Sequence, residues 1–182
     1  MGARTLVAVE RPDGRYDCYR TQWGGEQLDR LVASARAGEL PPGLVDPEPV
    51  RSAVPADRVL AALDPLEYEA LVAVGETVAA YLVVRLGIET SREAAADAAA
   101  DSGSDGPPAF VRDAAGLVPW TDAAAATRLR RFFRTAKDVL GDAVDAELLS
   151  EPVAVGYLAV RLVRHPDVSG GILWVPGGET VS

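Results

Sequence analysis

The stretch from Thr5 to Trp23 constrains the fold most, because two alternating segments flank Arg11-Pro12-Asp13-Gly14. Proline pre-sets φ for a turn and glycine accepts positive φ, so the chain must reverse here as a β-hairpin with strands Thr5–Glu10 and Tyr16–Trp23. With Arg11 opposite Arg15, Ala8 faces Cys18 and Val7 faces Tyr19. One side then carries Thr5, Val7, Val9, Tyr19, Thr21 and Trp23, and the other Tyr16, Cys18, Arg20 and Gln22. The first side is expected to be the core face.

Beyond the hairpin, Leu28, Leu31, Val32 and Ala35 recur at helical spacing within Glu26–Ala37, and Gly38 supplies the stop. Five prolines between 41 and 55 predict an irregular connection, followed by a short helix over Ala56–Leu63. The valine-rich run after Glu69 breaks at Gly75-Glu76, which predicts a second hairpin, Ala70–Val74 and Val78–Ile88; a single buried helix over 69–87 is the competing reading. Residues 91–108 are acidic and rich in Ala, Asp, Ser and Gly, and read as a flexible segment within one domain spanning 1–182. Trp120-Thr121-Asp122 then offers a cap to a helix whose apolar stripe is Leu129, Phe132, Phe133, Ala136, Leu140 and Ala143. Two more strands, Val153–Arg164 and Gly171–Val175, are expected at the end. The hexapeptide pattern Tyr81-Leu82-Val83-Val84-Arg85-Leu86 returns as Tyr157-Leu158-Ala159-Val160-Arg161-Leu162, either by duplication or because two sheet positions selected similar strands. Together these elements predict an α+β fold: an antiparallel sheet of five or six strands with helices packed on one face.

Charge sets the expected environment. The chain has 27 Asp and Glu against 18 Lys and Arg, a net charge of -9, with Lys137 the single lysine among the 182 residues. Carboxylates keep a surface solvated where salt screens charge beyond about 3 Å at 1 M, so the composition predicts a soluble protein of a high-salt cytoplasm. The opening residues carry no secretory pattern, and the longest apolar run, Ala70–Val84, is interrupted by Glu76 and falls short of the roughly 20 residues that span a bilayer. No membrane role is expected.

Catalytic chemistry finds little to work with. One cysteine and one histidine cannot form a thiolate or imidazole metal cluster, no Asp-rich calcium loop is present, and neither Ser169-Gly170-Gly171 nor Pro176-Gly177-Gly178 continues as a phosphate-binding loop. No metal and no cofactor is expected. A small hydrolase would have to pair Cys18 with His165, helped by Asp167, and no signature surrounds either residue. The protein is therefore expected to act without catalysis, with that hydrolase reading kept as an alternative.

Two surfaces remain. Arg128, Arg130, Arg131, Arg134 and Lys137 fall outside the apolar stripe of the long helix, a basic face in an acidic chain, and Arg130, Arg131, Arg134 and Lys137 are the expected contacts for an acidic protein partner in an interaction or regulatory role. Alternatively, Tyr81, Arg85, Tyr157 and Arg161 share one side of their expected strands and would make a stacking platform for single-stranded nucleic acid. Oligomeric state is not encoded in any pattern.

The residues Met1-Gly2-Ala3-Arg4-Thr5-Leu6-Val7-Ala8-Val9-Glu10-Arg11-Pro12-Asp13-Gly14, with Tyr16 and Gln22-Trp23-Gly24, resemble the start of an uncharacterised family of halophilic archaea. Gln22 stands where that pattern has a histidine before Trp-Gly. The resemblance implies a salt-rich habitat and carries no activity.

Overall fold

The computed structural model describes residues 4–21, 27–40, 43–88, 90 and 114–175. The flexible segment expected at 91–108 lies outside the described residues, as do Gln22, Trp23 and Gly24.

The first hairpin forms in the expected register. Strands β1 (Thr5–Glu10) and β2 (Tyr16–Thr21) place Val7 opposite Tyr19 and Ala8 opposite Cys18, and Gly14 takes φ +76° in the turn. Helix α1 (Leu28–Arg36) buries the four residues whose spacing predicts it. Within the proline-rich connection a short strand, β3 (Arg51–Val54), pairs with β2. Its anchor is electrostatic, since the Asp17 carboxylate accepts the Ala53 N–H at 2.9 Å and holds that residue at φ +54°. Two 3₁₀ turns, Ala56–Arg58 and Leu60–Ala62, take the place of the expected short helix. Strands β4 (Ala70–Val74) and β5 (Val78–Arg85) form the second hairpin, so the buried-helix alternative does not occur. Strand β6 (Ala115–Pro119) follows, then α2 (Ala123–Asp145), α3 (Glu151–Val163) and β7 (Leu173–Val175).

The sheet corrects the expected architecture. It has seven strands in the order β3-β2-β1-β4-β5-β6-β7, and β1 runs parallel to β4, so it is mixed rather than an antiparallel sheet of five or six strands. A parallel pair requires a long crossover, and α1 with the proline-rich connection supplies it. Patterns that mark hairpins do not reveal which hairpins become neighbours.

The second correction concerns Val153–Arg164, which is helix α3 and not a strand. Ser150-Glu151-Pro152 opens it, since proline lacks only an N–H that the first turn leaves unpaired and an acidic residue suits the positive end of the helix dipole. Ala154, Leu158 and Leu162 then recur every fourth residue and are fully buried. The repeated hexapeptide pattern is thus a strand in one copy and a helix in the other, which rules out a duplicated structural unit.

Strand alternation divides the core in two. Leu6, Ala8, Cys18, Leu71, Val83, Leu117 and Val175 form one cluster with Val59, Leu63 and Tyr68. Because that cluster joins β2 to β7 across the whole sheet, the sheet must curl around it, and it does so as a half-barrel. The opposite face carries α1 over Val7, Ala70 and Val72, and α2 with α3 over Leu82, Val84 and Val118. Both sides of the first hairpin are therefore covered, where one core face was expected. Trp120 packs between the two helical clusters, and its indole N–H donates to Asp29 at 3.0 Å, tying α1 to the start of α2.

Helix α3 approaches β6 at Gly116, where an added Cβ would lie 2.5 Å from Leu162 Cδ2. Replacing Gly116 by alanine is expected to cost about 1–3 kcal/mol through overpacking, read from urea denaturation midpoints. An unchanged midpoint would contradict this close packing. Thr5 and Thr21, cross-strand partners, bury hydroxyls that have no hydrogen-bond partner among the described residues. The Thr5→Val, Thr21→Val double variant is expected to gain about 1 kcal/mol or more, because desolvated unpaired hydroxyls are removed without loss of shape. A loss of stability in the same denaturation assay would contradict that accounting.

Candidate functional site

Helix α2 is capped by Asp122, whose carboxylate accepts the Ala125 N–H at 2.7 Å. Leu129 and Phe133 pack it onto the sheet, and Leu158 and Leu162 seat α3 alongside. Between the two helices runs an open groove of about 600 Å³ lined by Arg128, Arg131, Phe132, Thr135, Ala136, Val139, Leu140, Tyr157 and Arg161. Its floor is apolar and its rim basic. Val139 is 62% exposed and Tyr157 50% exposed, and Val153 and Val160, one turn to either side of Tyr157 on α3, are exposed as well.

The five basic residues of α2 divide by partner. Arg128 donates from Nε and Nη2 to both oxygens of Asp167, a forked pair that holds the Asp167 carboxyl below the usual carboxylate range. Arg130 lies 3.0 Å from Glu69, immediately before β4, and Lys137 also has a contact. Arg131 and Arg134 are exposed and make no ion pair among the described residues. Of the contacts expected for a partner, Arg131 lines the groove and Arg134 lies one turn along, whereas Arg130 is spent within the fold.

The four residues expected to form a stacking face are separated. Tyr81 and Arg85 lie on β5, on the side where Tyr81 packs into the half-barrel core and Arg85 Nε is buried without a hydrogen-bond partner among the described residues. Tyr157 and Arg161 are on α3, in the groove. The Arg161 guanidinium carbon lies over the Phe132 ring, 5.3 Å from its centroid, a cation–π contact that holds the charge at the rim. The structure thus joins Arg131 from one expected surface to Tyr157 and Arg161 from the other, a convergence visible only once residues 151–163 are a helix.

Cys18 and His165 do not meet. Cys18 is fully buried in the half-barrel core, and burial pushes its thiol up. His165 follows α3 on the opposite side of the sheet, with its ring 5.0 Å from Phe132 and 6.5 Å from Phe133. Its Nδ1 accepts the Asp167 N–H at 3.2 Å, which fixes the neutral imidazole. Burial lowers its pKa from the ordinary 6.5, and Arg161 and Arg128 lower it further, against the pull of the Asp167 carboxylate 3.8 Å away. His165 is therefore a neutral ring that backs Phe132 under the groove. Among the described residues, no three His, Cys, Asp or Glu side chains are grouped to hold a metal ion, and no helix is long and apolar enough to cross a membrane.

Fold and groove define an α+β protein with a curled mixed sheet and an open helical cleft. Residues 29–173 match a family of unknown function, DUF6735, and the chain belongs to that family. The match begins beyond the hairpin, so membership rests on the helices and the rest of the sheet and not on the opening residues. No curated protein and no solved structure matches the chain.

The histidine has a measurable consequence. The unfolded chain takes up a proton near pH 6.5 that the folded chain resists, so stability is highest above that value and falls as pH drops through it toward the lower folded pKa. Denaturation midpoints are expected to decline between about pH 7.5 and 5 in the wild type and to lose much of that slope in His165→Phe. Equal slopes in the two proteins would contradict the buried neutral histidine.

Proposed function

We propose that this is a non-catalytic interaction or regulatory protein of a high-salt cytoplasm, and that it binds an acidic protein surface in the groove between α2 and α3. The observation that carries the reading is the groove itself, where an uncovered apolar floor is rimmed by Arg131 and Arg161 in a chain of net charge -9. A solvated helix face has no use for exposed Val139 and Tyr157, whereas a docking site needs an apolar centre with charges at its rim. Acidic residues on the partner meet those arginines, and apolar ones meet Phe132 and Leu140. The acidic composition and the resemblance of the opening residues support the halophilic setting.

A second reading is favoured by one feature. Tyr157 beside Arg161 and Arg131 is also a small stacking platform with cations, the arrangement that holds single-stranded nucleic acid. It lies on a helix pair and not on the sheet face that the sequence suggests.

Fluorescence anisotropy in molar KCl separates the two. A labelled amphipathic helical peptide with Glu on one face and Leu on the other is expected to bind saturably and to bind at least about tenfold more weakly to Arg131→Glu, Arg161→Glu. Equal binding by wild type and variant contradicts the docking reading. Tighter binding of single-stranded RNA, lost in Tyr157→Ala, replaces it by the nucleic-acid reading.

A further inference from the structure

We infer that the partner meeting this surface is a second copy of the same chain, whose α2 packs antiparallel against the exposed side of α2 at the rim of the groove, about a two-fold axis near Ala136. The inference rests on the docking reading above and supplies its occupant. The exposed side of α2 is polarised, with Arg131 and Arg134 in the first half and Asp138 and Asp142 in the second. At 100° per residue these four fall within an arc of about 80°. The order is unfavourable for the helix alone. The dipole favours acids at the start and bases at the end, and beyond the Asp122 cap α2 has no acidic residue in its first turn and no basic one in its last. An Arg four residues before an Asp is also the weaker orientation of a helical pair.

An antiparallel second copy uses that order fully. Rotation about Ala136 sets Arg134 opposite the partner's Asp138 and Arg131 within one residue of the partner's Asp142, and symmetry repeats both pairs. Such a surface is self-complementary, which an isologous dimer requires. Apolar groups stand beside the seam, where Val139, Tyr157 and Val160 are each about half exposed or more. Those contacts are not screened by salt, so they supply affinity while the charge pairs fix direction and register. The area suits a reversible dimer: helices of 23 and 13 residues are about 34 and 20 Å long and about 10 Å wide each, giving roughly 500 Å² per copy, below the roughly 800 Å² of a standard stable interface.

Sedimentation equilibrium of the full chain in molar KCl tests this. The wild type is expected to be a reversible dimer with micromolar dissociation. The Arg131→Asp, Arg134→Asp variant and the Asp138→Arg, Asp142→Arg variant are each expected to associate at least about tenfold more weakly, with unchanged circular dichroism. An equimolar mixture of the two is expected to recover the dimer, because one seam is then all acidic and the other all basic. Dimerisation unaffected by both substitutions, or a mixture that stays monomeric, overturns the inference. A monomeric wild type that still binds the acidic peptide overturns the second copy alone, and a monomer that binds no peptide overturns the docking reading with it.

Discussion

Helix α3 can lie flat on the sheet because residue 116 of β6 has no side chain. That contact positions α3, and through it α2, on the outer face. Leu162 occupies the space a Cβ would need, Leu158 and Ala154 follow one turn apart, and α2 settles beside them through Leu129 and Phe133. Spacing between the two helices then leaves Phe132 and Leu140 half-buried in the groove and Tyr157 exposed at it. A methyl group at residue 116 would displace Leu162 and press on Ile172 and Trp174, disturbing the packing of α3 on β6.

The electrostatics reinforce the same geometry. Arg128 is spent on Asp167, which locks the segment after α3 against α2, and the Asp167 N–H in turn holds His165 neutral. His165 backs Phe132, and Phe132 carries Arg161. A chain of contacts therefore runs from an ion pair at one end of the helix pair to the guanidinium at the rim. Arg131 and Arg134 stand outside that chain, exposed beside an apolar strip. Their position suits an intermolecular role better than a structural one.

Much of the inner fold is legible in the sequence, and the reason is local. Pro12-Asp13-Gly14 dictates a turn whose register follows from counting, Gly75-Glu76 breaks a valine run that is too short for two helical layers, and Asp122 caps a helix with a continuous apolar stripe. The parallel pairing of β1 with β4 is illegible because nothing local records which strands a crossover brings together. Strand β6 is missed because Ala115-Gly116-Leu117-Val118 is too short to show alternation, and β3 because it is four residues within a proline-rich stretch and pairs with β2 through an irregular register that Asp17 helps to hold. Misreading 151–163 has a different cause. Valines and a tyrosine favour a strand on intrinsic preference, and packing of Ala154, Leu158 and Leu162 overrides them. The candidate site inherits that error: Arg131 is legible as a surface cation, but its meeting with Tyr157 and Arg161 depends on the helix.

The central claim is that the α2–α3 groove is where this protein meets its partner, and chemical-shift mapping tests it most directly. Amide spectra of the isotope-labelled chain in molar KCl, recorded while the acidic peptide is added and again on dilution, should change along 128–142 and 153–164 and stay constant in β3 and the 3₁₀ turns. Changes centred on β2, β3 or the half-barrel interior, with the α2 and α3 signals fixed, would contradict the account.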